Sequence, residues 1–280
     1  MFNKKRLIVL LTGTLLVGSL VSGCGSAGAN STSGSSSSKI TVSGSTSVGP
    51  TMEILAEDYQ KENDTTTIEV QQVGSSAGIT NTIDGTSQIG MSSRDLKDEE
   101  KSELKEYQIA IDGIAVITNS ANKVKDLTLQ QVKDIYTGKI TNWKEVGGAD
   151  AEIVVVSRED GSGTRDGFQE IVGFESKDLT SNAQISDGSG NIKTTVQGNE
   201  NAIGYISFGY LDDSINAVKI GGVEPKEENV YNDKYPISRP FLLVTKGEAS
   251  GDAKSFIDYV LSDAGQKTIE KQGFMSVNQK

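Results

Sequence analysis

The 280-residue chain contains no histidine. That excludes every Ser-His-Asp or Cys-His catalytic arrangement and every zinc site ligated by imidazole. Its one cysteine is Cys24, so an internal disulfide and a C-x-x-C motif are excluded as well. Positive charge is in short supply: 27 Lys and Arg stand against 38 Asp and Glu, a net charge of −11. A non-specific nucleic-acid binder needs a basic face to displace counterions from phosphates, so this balance argues against nucleic acid as a partner. Four prolines against 31 glycines leave the turns to glycine. Hydrophobic residues make up 35% of the chain and aromatics 6%, lean but enough for a packed core at this length.

The N-terminus reads as a targeting segment. Lys4, Lys5 and Arg6 precede an apolar stretch, Leu7 to Leu20, broken by Thr12, Gly13, Thr14, Gly18 and Ser19. The stretch is too short and too punctuated for a transmembrane helix and has the form of a secretory h-region. Val21-Ser22-Gly23-Cys24 resembles the bacterial lipobox, so residues 1–23 are expected to be a lipoprotein signal peptide and Cys24 the lipidated residue. Residues 25–38 hold seven serines and three glycines and no apolar residue larger than alanine. Such a segment cannot bury enough surface to offset its ordering entropy, so 24–38 is expected to be a lipidated tether. Contact with the membrane is then through the lipid alone.

Beyond the tether, strand and helix patterns alternate. Strands are expected at Lys39–Ser43, Thr67–Gln71, Gln88–Met91, Ile109–Ile117, Ile153–Val156, Ala202–Ile206 and Phe241–Val244. Helices are expected at Thr51–Lys61, Ile79–Asp84, Asp98–Glu106, Leu127–Tyr136 capped by Thr128, Asp166–Val172 and, last, Ala253–Leu261. This order predicts an α/β fold with largely parallel sheets.

Four loops share one design. Gly44–Pro50, Gly74–Gly78, Ser92–Arg94 and Ser157–Thr164 each follow a strand's carboxyl end and are rich in hydroxyls or glycine. Open α/β sheets bind ligands there. The first turn of a helix has unbonded N–H groups and the positive end of a dipole, and hydroxyls add donors, so together the loops suit an oxyanion. Each loop alone could be no more than a helix cap; four of them, one containing Arg158, favour a shared anion. Around Ser162 the enzyme motifs fail by inspection. G-x-S-x-G would need glycine at Asp160, and G-x-G-x-x-G from Gly161 meets Asp166. No G-x-x-x-x-G-K-[ST] occurs, and no candidate serine has lysine three residues on. No catalytic residue, metal ligand or cofactor is therefore assigned.

Arg158 followed by Asp160-Gly-Ser-Gly-Thr164 resembles the signature of the phosphate-binding subunit of the ABC phosphate uptake transporter. Gly44-Ser-Thr-Ser47, Gly74-Ser-Ser-Ala-Gly78, Gly90-Met-Ser-Ser-Arg-Asp-Leu96, Ile135–Trp143, Ala202-Ile-Gly-Tyr205 and Tyr235–Pro240 follow in the family's order, from about Ile40 to the C-terminus. The resemblance implies a two-lobed periplasmic-binding-protein fold of type II, with two crossover strands and the ligand in the interlobe cleft. It implies an extracytoplasmic, lipid-anchored receptor that binds inorganic phosphate and delivers it to an ABC permease, expected to be a monomer. Lobe I is expected to combine 39–117 with 238–280, and lobe II to be 118–237.

By the same resemblance, phosphate ligands fall at Thr46, Ser47, Ser75, Arg158, Ser162, Gly163 and Thr164, and Asp160 orients Arg158. Ser93 departs from the pattern: well-known members carry an aspartate there that accepts the proton of the phosphate. Asp112 is a candidate replacement acceptor or a simple turn residue. Arg94 either adds charge near the site or pairs with Asp95 or Glu99. Arg239 is expected in a crossover salt bridge, and Trp143 and Tyr136 in packing around Gly138. Other readings are a sulfate or other oxyanion receptor, a phosphoester-hydrolysing enzyme on the same anion site, and an adhesin or sensor.

Overall fold

The computed structural model describes residues 38–279. The expected signal peptide, Cys24 and most of the tether lie outside these residues. The strands are β1 Ser38–Gly44, β2 Thr66–Gln72, β3 Ile89–Ser92, β4 Leu104–Asn119, β5 Asp126–Leu127, β6 Val154–Arg158, β7 Gln184–Ser186, β8 Ala202–Ser207, β9 Ile215–Ala217, β10 Lys219–Ile220, β11 Ser238–Lys246 and β12 Met275–Ser276. The α-helices are α1 Gly49–Glu62, α2 Ser75–Ile83, α3 Asp98–Lys101, α4 Leu129–Tyr136, α5 Gly163–Val172, α6 Gly188–Gln197, α7 Glu227–Tyr231, α8 Gly251–Leu261 and α9 Asp263–Lys271.

The main sheet runs β2-β1-β3-β11-β4-β8-β6-β7, with β9 and β12 also on β4. It is mixed rather than largely parallel. Its two ends are parallel, β2-β1-β3 and β8-β6-β7. In the middle, β11 runs antiparallel to β3 and β4, and β4 antiparallel to β8. The long β4 joins the two ends, pairing with β11 on one side and β8 on the other, while β11 pairs with β3 and β4.

Burial follows this division. One hydrophobic cluster gathers Ile40, Met52, Leu55, Ile109, Phe241 and Phe256. Another gathers Ile114–Ile117, Tyr136, Phe168, Ile203 and Tyr205. Strand β4 thus passes from the first core to the second between Ala110 and Ile114. The return runs from Ile237, in the second core, to Phe241, in the first. Between these points Arg239 stands opposite Asp112 in the β11–β4 ladder.

Most elements lie within a few residues of their expected places. Thr128 caps α4 as expected: its Oγ1 accepts from Gln131 N at 3.1 Å, and the Gln131 side chain accepts from Thr128 N at 2.8 Å. The charged stretch Asp98–Glu106 is different. Only Asp98–Lys101 is helical, and β4 begins at Leu104, where Leu104, Lys105 and Glu106 pair with the end of β11. A ladder partner distant in the chain outweighs local helix propensity there. The last helix is α9, begun at once by Ser262, whose Oγ accepts from Gly265 N at 3.3 Å. Tyr136 and Trp143 are buried in the same cluster with different partners. Tyr136 packs with Phe168, Phe174 and Tyr205, and Trp143 Nε1 donates to Asn201 O at 2.9 Å.

Candidate functional site

The four polar loops meet where the two cores face each other. Their approach depends on small residues. A Cβ on Gly78 would lie 2.4 Å from Gly44 Cα, so only glycine lets α2 cross the end of β1 this closely. Gly161 has φ +81°, which turns the chain from β6 into α5.

Each loop sets its own hydroxyls. Ser45 Oγ accepts from Ser47 N and Val48 N at 3.1 and 3.3 Å, fixing the loop before α1. Ser92 Oγ donates to Arg94 O at 2.9 Å, bending the chain after β3 around Ser93. Ser162 caps α5, its Oγ accepting from Arg165 N at 3.3 Å. The loops also bond to one another. Ser47 Oγ and Thr164 Oγ1 share a hydrogen bond of 2.8 Å across the two halves. Ser75 Oγ and Ser93 Oγ share one of 3.2 Å, and Ser76 N donates to Gly161 O at 3.2 Å. Gly163 lies against this pair: a Cβ on it would be 2.3 Å from Ser75 Oγ and 2.8 Å from Ser93 Oγ.

Arg158 ends β6 among these loops with 1% of its surface exposed. Its Nε and Nη2 donate to the two carboxylate oxygens of Glu159, each at 2.7 Å. Nη2 also donates to Thr46 Oγ1 at 2.8 Å, in the opposite half. Nη1 is buried and has no partner among the described residues. The main chain is held too. Arg158 N donates to Tyr205 Oη at 3.1 Å, and Arg165 Nη1 donates to Arg158 O at 3.2 Å. Tyr205 stacks on Phe168 with ring centroids 4.0 Å apart, so the hydroxyl that fixes Arg158 rests on the aromatic core. Across the cleft, Tyr210 Oη donates to Thr46 O at 3.1 Å.

The structure therefore brings together Thr46, Ser47, Ser75, Ser93, Arg158, Ser162, Gly163 and Thr164. The second tier differs from expectation. Asp160 does not orient Arg158; its carboxylate, 93% exposed, meets Arg165 Nη1 at 2.5 Å. The chain turns at Gly161, and that turn carries Asp160 outward. Arg94 pairs with neither the Asp95 carboxylate nor Glu99. It clasps Glu100 through Nη1 and Nη2, both at 2.8 Å, and reaches Asp166 through Nε at 3.1 Å. Arg94 belongs to the first half and Asp166 to α5, so this ion pair spans the cleft.

Asp112 is not available as a ligand acceptor. It is fully buried, Oδ1 accepting from Ser207 Oγ and Phe208 N at 2.9 and 3.1 Å, and Oδ2 from Arg239 Nη2 and Nε at 2.7 and 3.2 Å. Arg239 makes the expected crossover salt bridge here, and its Nη1 also donates to Ser93 O at 2.9 Å. Burial raises the Asp112 carboxyl pKa and lowers that of Arg239. Four donors on one carboxylate nonetheless mark an ion pair, because only the charged form accepts them all.

Sequence reasoning missed Glu159, Tyr205 and Tyr210. Glu159 stands next to Arg158 in the chain, and that adjacency was the one signal for it. Burial acts to raise its carboxyl pKa, but hydrogen bonding and charge from Arg158 outweigh burial and hold it below the usual range. Burial likewise acts to raise Glu100, and the Arg94 bonds outweigh it in the same direction.

Hydroxyls that can donate or accept, one buried guanidinium and the unbonded N–H groups at the start of α5 suit an oxyanion. Among the described residues no three His, Cys, Asp or Glu side chains are grouped to hold a metal ion. No described helix is long and apolar enough to cross a membrane.

A family model described as a PBP superfamily domain matches residues 29–264. The chain is 38% identical over 245 residues to the phosphate-binding protein PstS of Bacillus subtilis (strain 168), covering 85% of this chain and 80% of that protein. It is 63% identical to a structure from Clostridium perfringens described as a phosphate ABC transporter substrate-binding protein with bound phosphate. The TM-score is 0.83, with 85% of this chain and 99% of that chain covered. An ABC-type phosphate transport receptor of Vibrio cholerae is 39% identical, with TM-score 0.75, covering 85% of this chain and all of the other.

Proposed function

This chain belongs to the PstS family of phosphate-binding proteins, within the PBP superfamily, and from that premise we propose that its cleft captures inorganic phosphate and hands it to an ABC permease. The observation that carries this reading is the buried Nη1 of Arg158, which no group of the described residues takes up, amid hydroxyls from both halves. A buried donor without a partner costs about 1–3 kcal/mol, and more on a charged group. A phosphate oxygen supplies the acceptor. Thr46, Ser47, Ser75, Ser93, Ser162 and Thr164 surround the remaining oxygens, with the N–H groups of Gly163 and Thr164 as further donors. Each hydrogen bond to a charged group contributes about 1.5–3 kcal/mol, and micromolar affinity needs only about 8 kcal/mol. The surplus offsets dehydration of the anion and closure of the protein.

Two lobes, 39–117 with 238–280 and 118–237, close on the ligand in this reading. The separate cores support a division into two lobes, with the first crossing a few residues before 117, between Ala110 and Ile114, and the return between Ile237 and Phe241. Residues 1–23 direct export, Cys24 carries the lipid that holds the protein on the extracytoplasmic face of the cell membrane, and the tether lets a monomer reach the permease membrane subunits. Chemistry on the ligand is not part of this role.

Calorimetric titration of the ligand-stripped protein with phosphate, then sulfate, at pH 6 and pH 8 tests the proposal. Tight phosphate binding with weak sulfate binding is the expected result. Absence of phosphate binding by the folded protein would sink it. Comparable binding of both anions would favour a broader oxyanion receptor. The observation behind that second reading is Ser93: it presents a hydroxyl bonded to Ser75, and a hydroxyl does not repel an unprotonated anion as a carboxylate does. Release of phosphate from a phosphoester would instead move the protein among the enzymes.

A further inference from the structure

Arg158 is followed by two acidic residues, and the structure separates their work. The side chains of adjacent strand residues ordinarily point to opposite faces. Arg158 is the last residue of β6, however, and the turn toward Gly161 folds Glu159 back alongside it. The Glu159 carboxylate lies against the Nε–Nη2 edge of the guanidinium in a bidentate pair, both contacts 2.7 Å. Gly188, the first residue of α6, donates its N–H to Glu159 Oε2 at 3.3 Å, so a second element of the fold holds the carboxylate. Asp160 faces solvent and pairs with the buried Arg165.

A guanidinium has five N–H donors in a rigid plane. Glu159 takes the one on Nε and one on Nη2, and Thr46 Oγ1 takes the other on Nη2. The pair on Nη1 is left over. With one edge clamped, the plane can no longer rotate, and the free donors are set before any ligand arrives. Pairing also makes the buried unit neutral, which lowers the cost of keeping it out of water.

We infer that Glu159 is the positioning residue that presents Arg158 Nη1 to the anion, a part that Asp160 does not take. This rests on the phosphate-receptor reading. Glu159 acts through Arg158 and need not touch the ligand.

The test compares E159Q, D160N and R158K with the wild type, and R158K with the double variant E159Q/R158K, by phosphate calorimetry on the full chain. A carboxamide sets one acceptor and one donor against two guanidinium donors, so E159Q keeps one bond and sets a donor against a donor. It is expected to weaken phosphate binding about tenfold or more. D160N is expected to lose less than a third as much. In the R158K background E159Q should cost little, because the fork it served is gone. The arginine Nε–H signal of Arg158 in a ¹⁵N spectrum, assigned by its loss in R158K, should stay in place in D160N and move in E159Q. Unchanged affinity in E159Q, a larger loss in D160N, or an equal E159Q loss in both backgrounds overturns the inference. A wild-type protein that does not bind phosphate overturns the receptor reading instead, and the first titration shows that ahead of the variants.

Discussion

Asp112 and Arg239 face each other in register on the two strands that pass between the cores, joined Oδ2 to Nη2 at 2.7 Å with side chains 0% and 2% exposed. Arg239 continues to Ser93 O, at the edge of the anion site. The ion pair thus ties the crossing strands to a binding loop.

Removing one partner leaves the other charge buried without compensation. D112L and R239M are each expected to destabilise the protein by about 3–5 kcal/mol. The double variant D112L/R239M is expected to recover part of that loss. Urea unfolding of the three proteins checks this, and additive losses would show that the pair is not coupled.

Gly163 is confined by its surroundings, not by its backbone angles. G163A puts a Cβ 2.3 Å from Ser75 Oγ and 2.8 Å from Ser93 Oγ. The methyl has to push these hydroxyls apart or shift α5, at about 1–3 kcal/mol. Phosphate affinity is expected to fall about tenfold or more, since about 1.4 kcal/mol is one decade. Calorimetry decides, and wild-type affinity in G163A would remove Gly163 from the site.

The Arg94–Asp166 pair joins residues directly beside the binding loops of the two halves. In D166N, Arg94 stays clasped by Glu100, so only the link across the cleft is weakened. Asp166 is 32% exposed, and partly solvated pairs contribute about 0.2–1 kcal/mol. Phosphate release should therefore speed up about two- to fivefold with little change in capture rate. Stopped-flow release kinetics measure it, and an effect confined to the capture rate would contradict the latch.

Acid should loosen the site through Glu159. Its carboxyl pKa is lower in the folded protein than in the unfolded chain, for the reasons given above. The stability this confers is present above the unfolded carboxyl value, about 4.3, and is lost as pH falls through the lower folded value. The melting-temperature difference between wild type and E159Q should be constant at neutral and mildly acid pH and shrink below that range. A difference that grows on acidification would mean that the sign is wrong.

Much of the proposed anion site is legible in the sequence. Thr46, Ser47, Ser75, Ser93, Arg158, Ser162, Gly163 and Thr164 lie in short loops after strands, where hydroxyls, glycines and helix starts are local features. The structure brings all of them together. Thr128 is legible as a cap for the same reason: Gln131 sits three residues on. The division of the charges is not legible. Whether Arg158 pairs with Glu159 or Asp160 depends on a turn at Gly161, and whether Arg94 pairs with Glu100 or Glu99 on where a four-residue helix starts, since Glu100 also accepts from the Lys97 N–H there.

The sequence by itself determined the alternation of strands and helices, the hydroxyl-rich loops and the arginine among them, because each depends on neighbours within a few positions. Only the tertiary structure decided that residues 104–106 extend a strand, since their ladder partners, Val244 to Lys246, are distant in the chain. It alone decided that Asp112 is spent on Arg239, that Asp160 turns outward, and that Arg158 keeps one nitrogen without a partner among the described residues. Buried charge is settled by which partner packing brings within hydrogen-bond reach, and that distance is not written in the order of residues.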